Sequence, residues 1–493
     1  MIKEEKLIPN TEYSVDERVF TLMEVPQSPL LSTDRFFQYN PQLQETLTGK
    51  QLLLEELPVS KEEIQKHHDH GYVIYRNGIN RERLSCTRCG TTDPSWFAEF
   101  PCVRCGKVEL YCRKCLMMGR VSECTLLVSW AGPMLDFEKI SEPLRWGGQL
   151  SAGQKAASRR VAEAVGNSAE LLVWAVAGAG KTEVLFAGIA QALSTGKRVC
   201  VATPRTDVVL ELAPRFQKVF PDLKVAALYG GSEDRDQFAQ LTIATTHQLL
   251  RFYRAFDVMI VDEVDAFPYS IDETLQYAVQ QSRKPTSSLI YLTATPNKQW
   301  QKECRIGKWD FVTIPARYHR HPLPVPRFEW SGNWEKKLSK RKLPPNIIKW
   351  VEARLASGKQ ALIFAPKITA MKKILTILLQ LNPLFESVHA EDPDRKDKVM
   401  KLRNKNITIL LTTTILERGV TIPNIDVAVI GSEDRIFTES ALVQIAGRAG
   451  RSAEYPSGDV TFFHYGKTEA MMSARSQIMM MNREGVKKGL IDV

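Results

Sequence analysis

Four apolar residues, Leu171-Leu-Val-Trp174, run directly into Ala175-Val-Ala-Gly178-Ala-Gly180-Lys181-Thr182. This junction constrains the fold more than any other stretch of the chain. A buried strand feeding a Gly-rich turn that ends in Lys-Thr belongs to an α/β sheet, where the turn and the following helix wrap backbone N–H groups around phosphates. Gly178, Ala179 and Gly180 would form the cradle, Lys181 would reach the β/γ oxygens of ATP, and Thr182 would ligate Mg²⁺. The loop departs from strict G-x-x-x-x-G-K-T spacing, since Ala175 stands at the first glycine position. Upstream, Gln154 in Gln149-Leu-Ser-Ala-Gly-Gln154 is placed to read adenine with its side-chain amide.

Two further segments complete the expected ATP chemistry. Val258-Met-Ile-Val261 reads as a buried parallel strand, and Asp262-Glu263 emerges at its C-terminal end, where α/β sheets bind ligands. Asp262 is expected to hold Mg²⁺ through water, and Glu263 to orient and deprotonate the attacking water. About 270 residues beyond the phosphate loop lies Gln444-Ile-Ala-Gly447-Arg448-Ala-Gly450-Arg451. Arg448 and Arg451, three apart on a helical turn, can reach one γ-phosphate together.

The 493 residues suffice for three or four domains, and 44% apolar with 25% charged residues is the balance of a globular protein. A net charge of +10 favours a polyanionic partner, nucleic acid first. No apolar run approaches the ~20 residues that span a bilayer, and Met1-Ile-Lys-Glu-Glu-Lys lacks the core of a signal peptide. A cytoplasmic location is therefore expected, with any membrane association supplied by a partner.

The expected organisation is α/β, with two tandem RecA-like parallel-sheet lobes after a small zinc-binding domain. Residues 1–80 have no clear pattern; Leu52-Leu-Leu-Glu-Glu-Leu reads as a helix end, Ser60 as a helix N-cap, and His67-His-Asp-His70 as a solvated helix end. Residues 81–125 are Cys-rich, 126–315 form the ATP-binding lobe, 316–345 a Pro-rich and basic connector, and 346–493 the second lobe with a C-terminal helix. Strands are expected at 171–176, 199–203, 225–228, 241–244, 258–262 and 288–293, then at 361–365, 386–389, 407–412, 427–430 and 460–464. In the connector, Trp330, Trp334 and the run Lys336 to Lys342 form either a base-stacking surface or a solvated link.

Seven of the nine cysteines fall in the Cys-rich segment, as the pairs Cys86/Cys89, Cys102/Cys105 and Cys112/Cys115 with Cys124 left over. C-x-x-C spacing lets two thiolates on one knuckle ligate a tetrahedral ion, so Zn²⁺ is expected. Six paired ligands overfill one site and underfill two. Cys86, Cys89, Cys112 and Cys115 make a plausible four-thiolate set, and Cys102/Cys105 either replaces one pair or is a structural extra. Arg88, Arg104, Arg113, Lys114 and Arg120 are either a solvated face or phosphate contacts.

Hydroxyl-bearing segments recur at strand ends: Thr203-Pro-Arg205, Thr245-Thr246-His247, Thr293-Ala-Thr295, and Thr412-Thr413-Thr-Ile-Leu-Glu-Arg418-Gly-Val. Thr203, Arg205, Thr245, Thr246, Thr413 and Arg418 would form a rim suited to a sugar-phosphate backbone. Over residues 145–465 this ordered set resembles superfamily 2 helicases and translocases. Many relatives carry an Asp soon after the Arg-Gly, where this chain has Thr421.

The cysteine finger ending Tyr111-Cys-Arg-Lys-Cys-Leu-Met-Met-Gly-Arg120, then Leu144-Arg-Trp-Gly-Gly-Gln-Leu-Ser151 and His319-Arg-His-Pro-Leu-Pro-Val-Pro326, make residues 80–490 resemble the ComFA family. These are late-competence DNA-uptake ATPases of naturally transformable Gram-positive bacteria. The resemblance implies an ATPase stimulated by single-stranded DNA, a zinc-dependent finger, the phosphoribosyltransferase-like operon partner ComFC, and a DNA-uptake channel; an oligomer is compatible with it. The family is described with four finger cysteines, so the third pair is an excess here. The competing readings are a duplex-unwinding repair or replication-restart helicase and a DNA-binding scaffold with a vestigial ATPase.

Overall fold

The computed structural model describes residues 32–103, 106–418 and 422–492, together with the backbone of 2–3 and 6–7. The chain divides into two units. One comprises residues 1–147, 162–170 and 187–291; the other comprises 148–161, 171–186 and 292–493.

In the first unit, a three-stranded antiparallel sheet sets Leu126–Trp130 between Gln51–Leu53 and Val73–Asn77. The helices Pro41–Leu47 and Lys61–Asp69 cover it through Leu43, Leu47, Ile64, Val128 and Trp130. Asn40 caps the first helix, and Ser60, the expected cap, accepts from Glu63 N at 3.2 Å. Leu52 and Leu53 lie in a strand and not at a helix end; their apolar faces pair with a strand 75 residues away, a partner no local pattern reveals. Likewise Leu126–Trp130 closes this sheet and does not open the ATP-binding lobe. The Cys-rich segment is an excursion between two strands of the sheet, and it contains its own three-stranded sheet of Phe97–Pro101, Val108–Cys112 and Val121–Ser122.

His67 is fully buried, unlike the solvated helix end expected. Its Nε2 accepts from Asn40 N at 2.8 Å and its Nδ1 donates to Glu63 O at 2.7 Å, so the ring pins the start of one helix to the other.

The same unit carries five parallel strands in the order Val225–Leu228, Leu241–Thr245, Val199–Thr203, Phe256–Val261 and Arg283–Thr293. Two of the inner strands, Val199–Thr203 and Leu241–Thr245, are buried at every position, as strands covered on both faces of a parallel sheet are. The helix Thr206–Val219 covers them with the stripe Val208, Val209, Leu212, Phe216 and Val219. The N-terminal sheet is fastened to these elements. Glu56 pairs with Arg251 at 2.7 Å, Arg198 donates to Thr48 O at 3.3 Å, and Arg76 stacks 3.8 Å over Tyr253.

In the second unit, Glu170–Ala175 pairs in parallel with Phe311–Ile314. A separate six-stranded sheet, parallel throughout, runs Arg327–Trp330, Val460–His464, Ile425–Ile430, Gln360–Phe364, Ile409–Thr412 and Glu386–Val388. Its core gathers Trp334, Ile347, Trp350, Ile363, Met371, Ile374, Leu411 and Phe463. The strand Arg327–Trp330 is thus part of the lobe although it falls in the expected connector. Trp334 is buried and donates to Glu433 Oε1 at 2.8 Å, which leaves Trp330 as the exposed indole. The C-terminal helix Glu469–Lys487 buries Met471 and Met481 in packing, while Met479 and Met480 are partly exposed and Met472 is exposed.

Candidate functional site

The phosphate loop belongs to the second unit. Ala175 is the last residue of its strand and fully buried, so extended backbone there has no need of glycine. Val176 O accepts from Ala179 N at 3.1 Å, Gly178 and Gly180 take φ of +82° and +70°, and the helix begins at Lys181. This left-handed backbone is the reason for both glycines. A Cβ on Gly180 would stand 2.3 Å from Gln154 Nε2. Gln154 braces the loop from beneath: Nε2 donates to Ala179 O at 2.9 Å and Gly180 O at 3.3 Å, while Oε1 accepts from Ser151 N at 2.9 Å. Both ends of the amide expected to read adenine are therefore engaged with backbone. Gly178 to Thr182 thus form a backbone cradle opening a helix N-terminus, which fits a nucleotide polyphosphate.

The Gly447–Arg451 segment lies against this loop within the same unit. A Cβ on Gly447 would fall 2.5 Å from Ala177 Cβ, so the backbones approach as closely as a missing side chain allows. A residue that no motif marks holds the approach together. Arg317, 2% exposed, donates to Ala177 O at 3.2 Å, Ala449 O at 2.8 Å and Gly447 O at 3.0 Å, and also to Gly450 O. Burial lowers its pKa to about 9, with the nearby Arg451 cation adding to the effect. Arg448 donates from Nε and Nη2 to Glu417 O at 2.8 and 2.5 Å, and Arg451 Nε donates to Gly447 O at 2.9 Å.

Ser440 joins two Thr-rich segments of this unit. Thr295 Oγ1 donates to Ser440 Oγ at 2.8 Å, and Arg418 Nη2 donates to the same oxygen at 3.2 Å. Arg418 is enclosed, with Glu417 Oε1 3.5 Å from its Nε; Thr413 is partly exposed. Thr421, where this chain departs from many helicases, lies outside the described residues.

Asp262 and Glu263 follow the strand Phe256–Val261 in the first unit. Asp262 N donates to Ala202 O at 2.8 Å, continuing the sheet, and Asp262 Oδ1 accepts from Glu263 N at 2.8 Å. Glu263 takes φ +57°, a left-handed conformation that a β-carbon disfavours, at the point where the carboxylate pair turns off the sheet. Thr203 and Thr245 end adjacent strands in direct register. Thr203, Thr245 and Thr246 are all buried, whereas Arg205 is partly exposed and pairs with Asp207 at 3.0 Å.

Four cysteines converge in the excursion. Cys86, Cys89, Cys112 and Cys115 are buried with their sulfurs all within 4.8 Å of one another. The Cys86–Cys115 and Cys89–Cys112 separations are 3.7 and 3.6 Å. A tetrahedral zinc with Zn–S bonds of about 2.3 Å sets its sulfurs about 3.8 Å apart, so the cluster is shaped for this ion. Contact with Cys115, then with Cys86 and Cys89, holds the Cys112 thiol far below its ordinary range, while contact with Cys112 drives Cys115 up. Cys102 lies apart from this cluster, and Cys105 is outside the described residues. The cationic residues nearby do not share one environment: Arg113 and Arg120 are exposed, whereas others are engaged by the fold. Arg88 is fully buried and donates to Met118 O at 2.7 Å; Lys114 donates to Thr274 Oγ1 at 2.8 Å; Arg120 stacks 4.3 Å over Phe100. Arg104 is outside the described residues.

Comparison with known proteins places these features together. Residues 33–129 match the Competence protein ComFA N-terminal domain, 152–303 the DEAD/DEAH box helicase family, and 342–453 the Helicase conserved C-terminal domain. Competence protein ComFA of Bacillus subtilis is 50% identical over 451 residues, covering 91% of this chain and 97% of the relative. Competence protein ComFA of Streptococcus pneumoniae is 40% identical over 405 residues, covering 82% and 91%. ATP-dependent DNA helicase RecG of Streptococcus pneumoniae is 24% identical over 360 residues, covering 68% of this chain and 51% of that protein. The two tandem RecA-like parallel sheets thus carry helicase domains, an ATP-hydrolysing architecture, and no described helix is long and apolar enough to cross a membrane. With half its residues identical over nearly the full length of a curated relative, and with the ComFA-specific N-terminal domain beside both helicase domains, the chain belongs to the ComFA family of competence proteins.

Proposed function

We propose that this chain is an ATP-driven translocase on single-stranded DNA that powers uptake of transforming DNA during natural competence. The observation that supports it most is the approach of Gly447–Arg451 to the phosphate loop, stitched by Arg317. It sets the phosphate loop and the segment bearing the paired arginines against each other, a juxtaposition that supports both acting on one nucleotide.

In this reading Lys181 binds the β/γ oxygens, and Thr182 with Asp262 holds Mg²⁺, which when bound neutralises phosphate charge. Glu263 orients the attacking water and accepts its proton on a carboxylate oxygen. Arg448 and Arg451 exchange their carbonyl contacts for the γ-phosphate, stabilising the charge that develops there. Because Arg448 hangs on Glu417 O, its movement is felt by Arg418, Ser440 and Thr295. That chain of contacts couples hydrolysis to the strand-end rim. Thr203, Arg205, Thr245, Thr246, Thr413 and Arg418 are the rim's nucleic-acid contacts; since the first-lobe hydroxyls are enclosed, Arg205 and backbone N–H groups make the initial grip. Such contacts read phosphates, so binding is indifferent to sequence and weakens steeply with salt. Cys86, Cys89, Cys112 and Cys115 hold zinc, which supplies a structural cross-link. ComFC and the uptake channel are the protein partners, met at the cytoplasmic face of the membrane.

The test is steady-state ATP hydrolysis with no nucleic acid, single-stranded DNA, duplex DNA, forked duplex or single-stranded RNA. Stimulation by single-stranded DNA above the others is expected. Stimulation by forked duplex alone would replace the proposal with an unwinding helicase, and no hydrolysis in any condition would leave a DNA-binding scaffold.

A further inference from the structure

Cys102 and the odd cysteine, Cys124, have no place in the four-thiolate cluster, yet the fold gathers them elsewhere. Cys102, Glu109 and Cys124 are each buried, and their Sγ and carboxylate atoms lie within 4.8 Å of one another. They come from three places: the end of the strand Phe97–Pro101, the interior of Val108–Cys112, and the turn after Val121–Ser122. Three segments of one small sheet therefore converge on a pocket of two thiols and a carboxylate.

The turn at Cys102 repeats the one at Cys86. In the four-thiolate cluster, Cys86 N donates to Thr91 O at 3.0 Å, Gly90 N donates to Cys86 O at 2.8 Å, and Gly90 has φ +72°. At the second turn Cys102 N donates to Lys107 O at 2.9 Å, Gly106 N donates to Cys102 O at 2.8 Å, and Gly106 has φ +70°. Both are tight turns closed by a left-handed glycine, and both bury the first thiol. Glu109, fully enclosed, also accepts from Cys124 N at 3.1 Å, which fixes the carboxylate beside the second sulfur. Thiolate sulfur selects a borderline-soft ion over Mg²⁺ or Ca²⁺, and a carboxylate completes such a donor set.

We propose that Cys102, Glu109 and Cys124 form a second zinc site, separate from the four-thiolate cluster. Three ligands leave one tetrahedral position, and Cys105, outside the described residues, is not needed for the inference. The ion ties the tip of the hairpin, where Val103 is fully exposed, to the turn at Cys124. Zinc entry displaces the two thiol protons to solvent, with no change of oxidation state.

The experiment is metal counting on full-length reduced protein from zinc-supplemented cells, by elemental mass spectrometry after dialysis. Two zinc ions per chain are expected. Cys124→Ser should lose one, and the remaining ion should give the four-thiolate spectrum on cobalt exchange; Cys112→Ser should lose the other. Two resolved phases of cobalt–thiolate absorption in the unmodified protein provide a readout that does not depend on the folding of any variant. A single zinc that survives Cys124→Ser and disappears in Cys112→Ser would overturn the proposal. So would a Cys102–Cys124 disulfide, detected as a mass deficit of about 2 Da (two hydrogen atoms) in freshly isolated protein.

Discussion

Arg317→Met is the most incisive perturbation of the site. The methionine keeps much of the length and removes a guanidinium that donates to four carbonyls, two flanking positions of the Gly447–Gly450 turn, its Gly447 end and the phosphate loop at Ala177. At roughly 1.5 kcal/mol net for each charge-assisted bond, the lost bonds amount to about 6 kcal/mol. Against this stands the several kcal/mol that burying a cation costs, recovered on substitution. Arg317 is 2% exposed and its described contacts are carbonyl dipoles, so that recovery is substantial. The net expectation is about 3 kcal/mol, or roughly 100-fold in the population of the docked arrangement. A pKa lowered to about 9 leaves the side chain cationic at the pH of the assay, so the effect should not depend on pH between 7 and 8 (about neutral). In a DNA-stimulated ATPase assay the variant should lose kcat by about that factor while its KM for ATP changes little, because Lys181 and the cradle remain. Arg317→Lys should recover only part, since an ammonium cannot span four separated acceptors. A kcat within about threefold of the unmodified protein, with melting temperature unchanged, would refute the assigned role of Arg317.

Glu263→Gln and Lys181→Ala should each lower turnover by ~10²–10⁴-fold while leaving the affinity for single-stranded DNA, measured by fluorescence anisotropy, within a few-fold. Normal hydrolysis by Glu263→Gln would defeat its role as general base. Removing metal with a chelator, or substituting Cys112→Ser, should lower the melting temperature and release zinc to a colorimetric indicator, whereas equal melting with and without chelator would argue against a structural ion. Glu56 should add an acid limb to stability: burial alone would raise its pKa, but Arg251 and the Leu53 N–H outweigh this and hold it below the ordinary value of 4.5. Because the folded value is the lower one, the stabilisation is complete above the unfolded value and is lost as pH falls through the folded one. Glu56→Gln should therefore flatten the acid-unfolding profile, and an unchanged profile would show that the ion pair does not fasten the N-terminal sheet.

How much was legible in the sequence follows from the range of the forces involved. The strand Val460–His464 occupies its expected residues, and Glu170–Ala175 and Phe256–Val261 differ from expectation by one or two at their ends. Parallel strands buried on both faces leave continuous apolar runs, and these survive any tertiary context. The edge strands Phe311–Ile314 and Arg327–Trp330 escaped notice because only one neighbour supports each; the first is a run of only four residues, and the second is mixed in composition.

The sequence by itself determined the parallel-sheet architecture, the Gly-rich turn that opens a helix at Lys181, and the dense cysteine usage that calls for metal. Each is written in residues adjacent along the chain, where spacing is geometry. Tertiary structure alone brought Glu109 and Cys124 to Cys102, because the three meet only when three segments of a sheet align. It also decided that Arg88 and Trp334 are buried and that Arg317 spans the two ends of the ATP motif set. An arginine or tryptophan looks the same in sequence whether exposed or enclosed. Its role depends on acceptors brought to it from more than a hundred residues away, and only the packed chain supplies them.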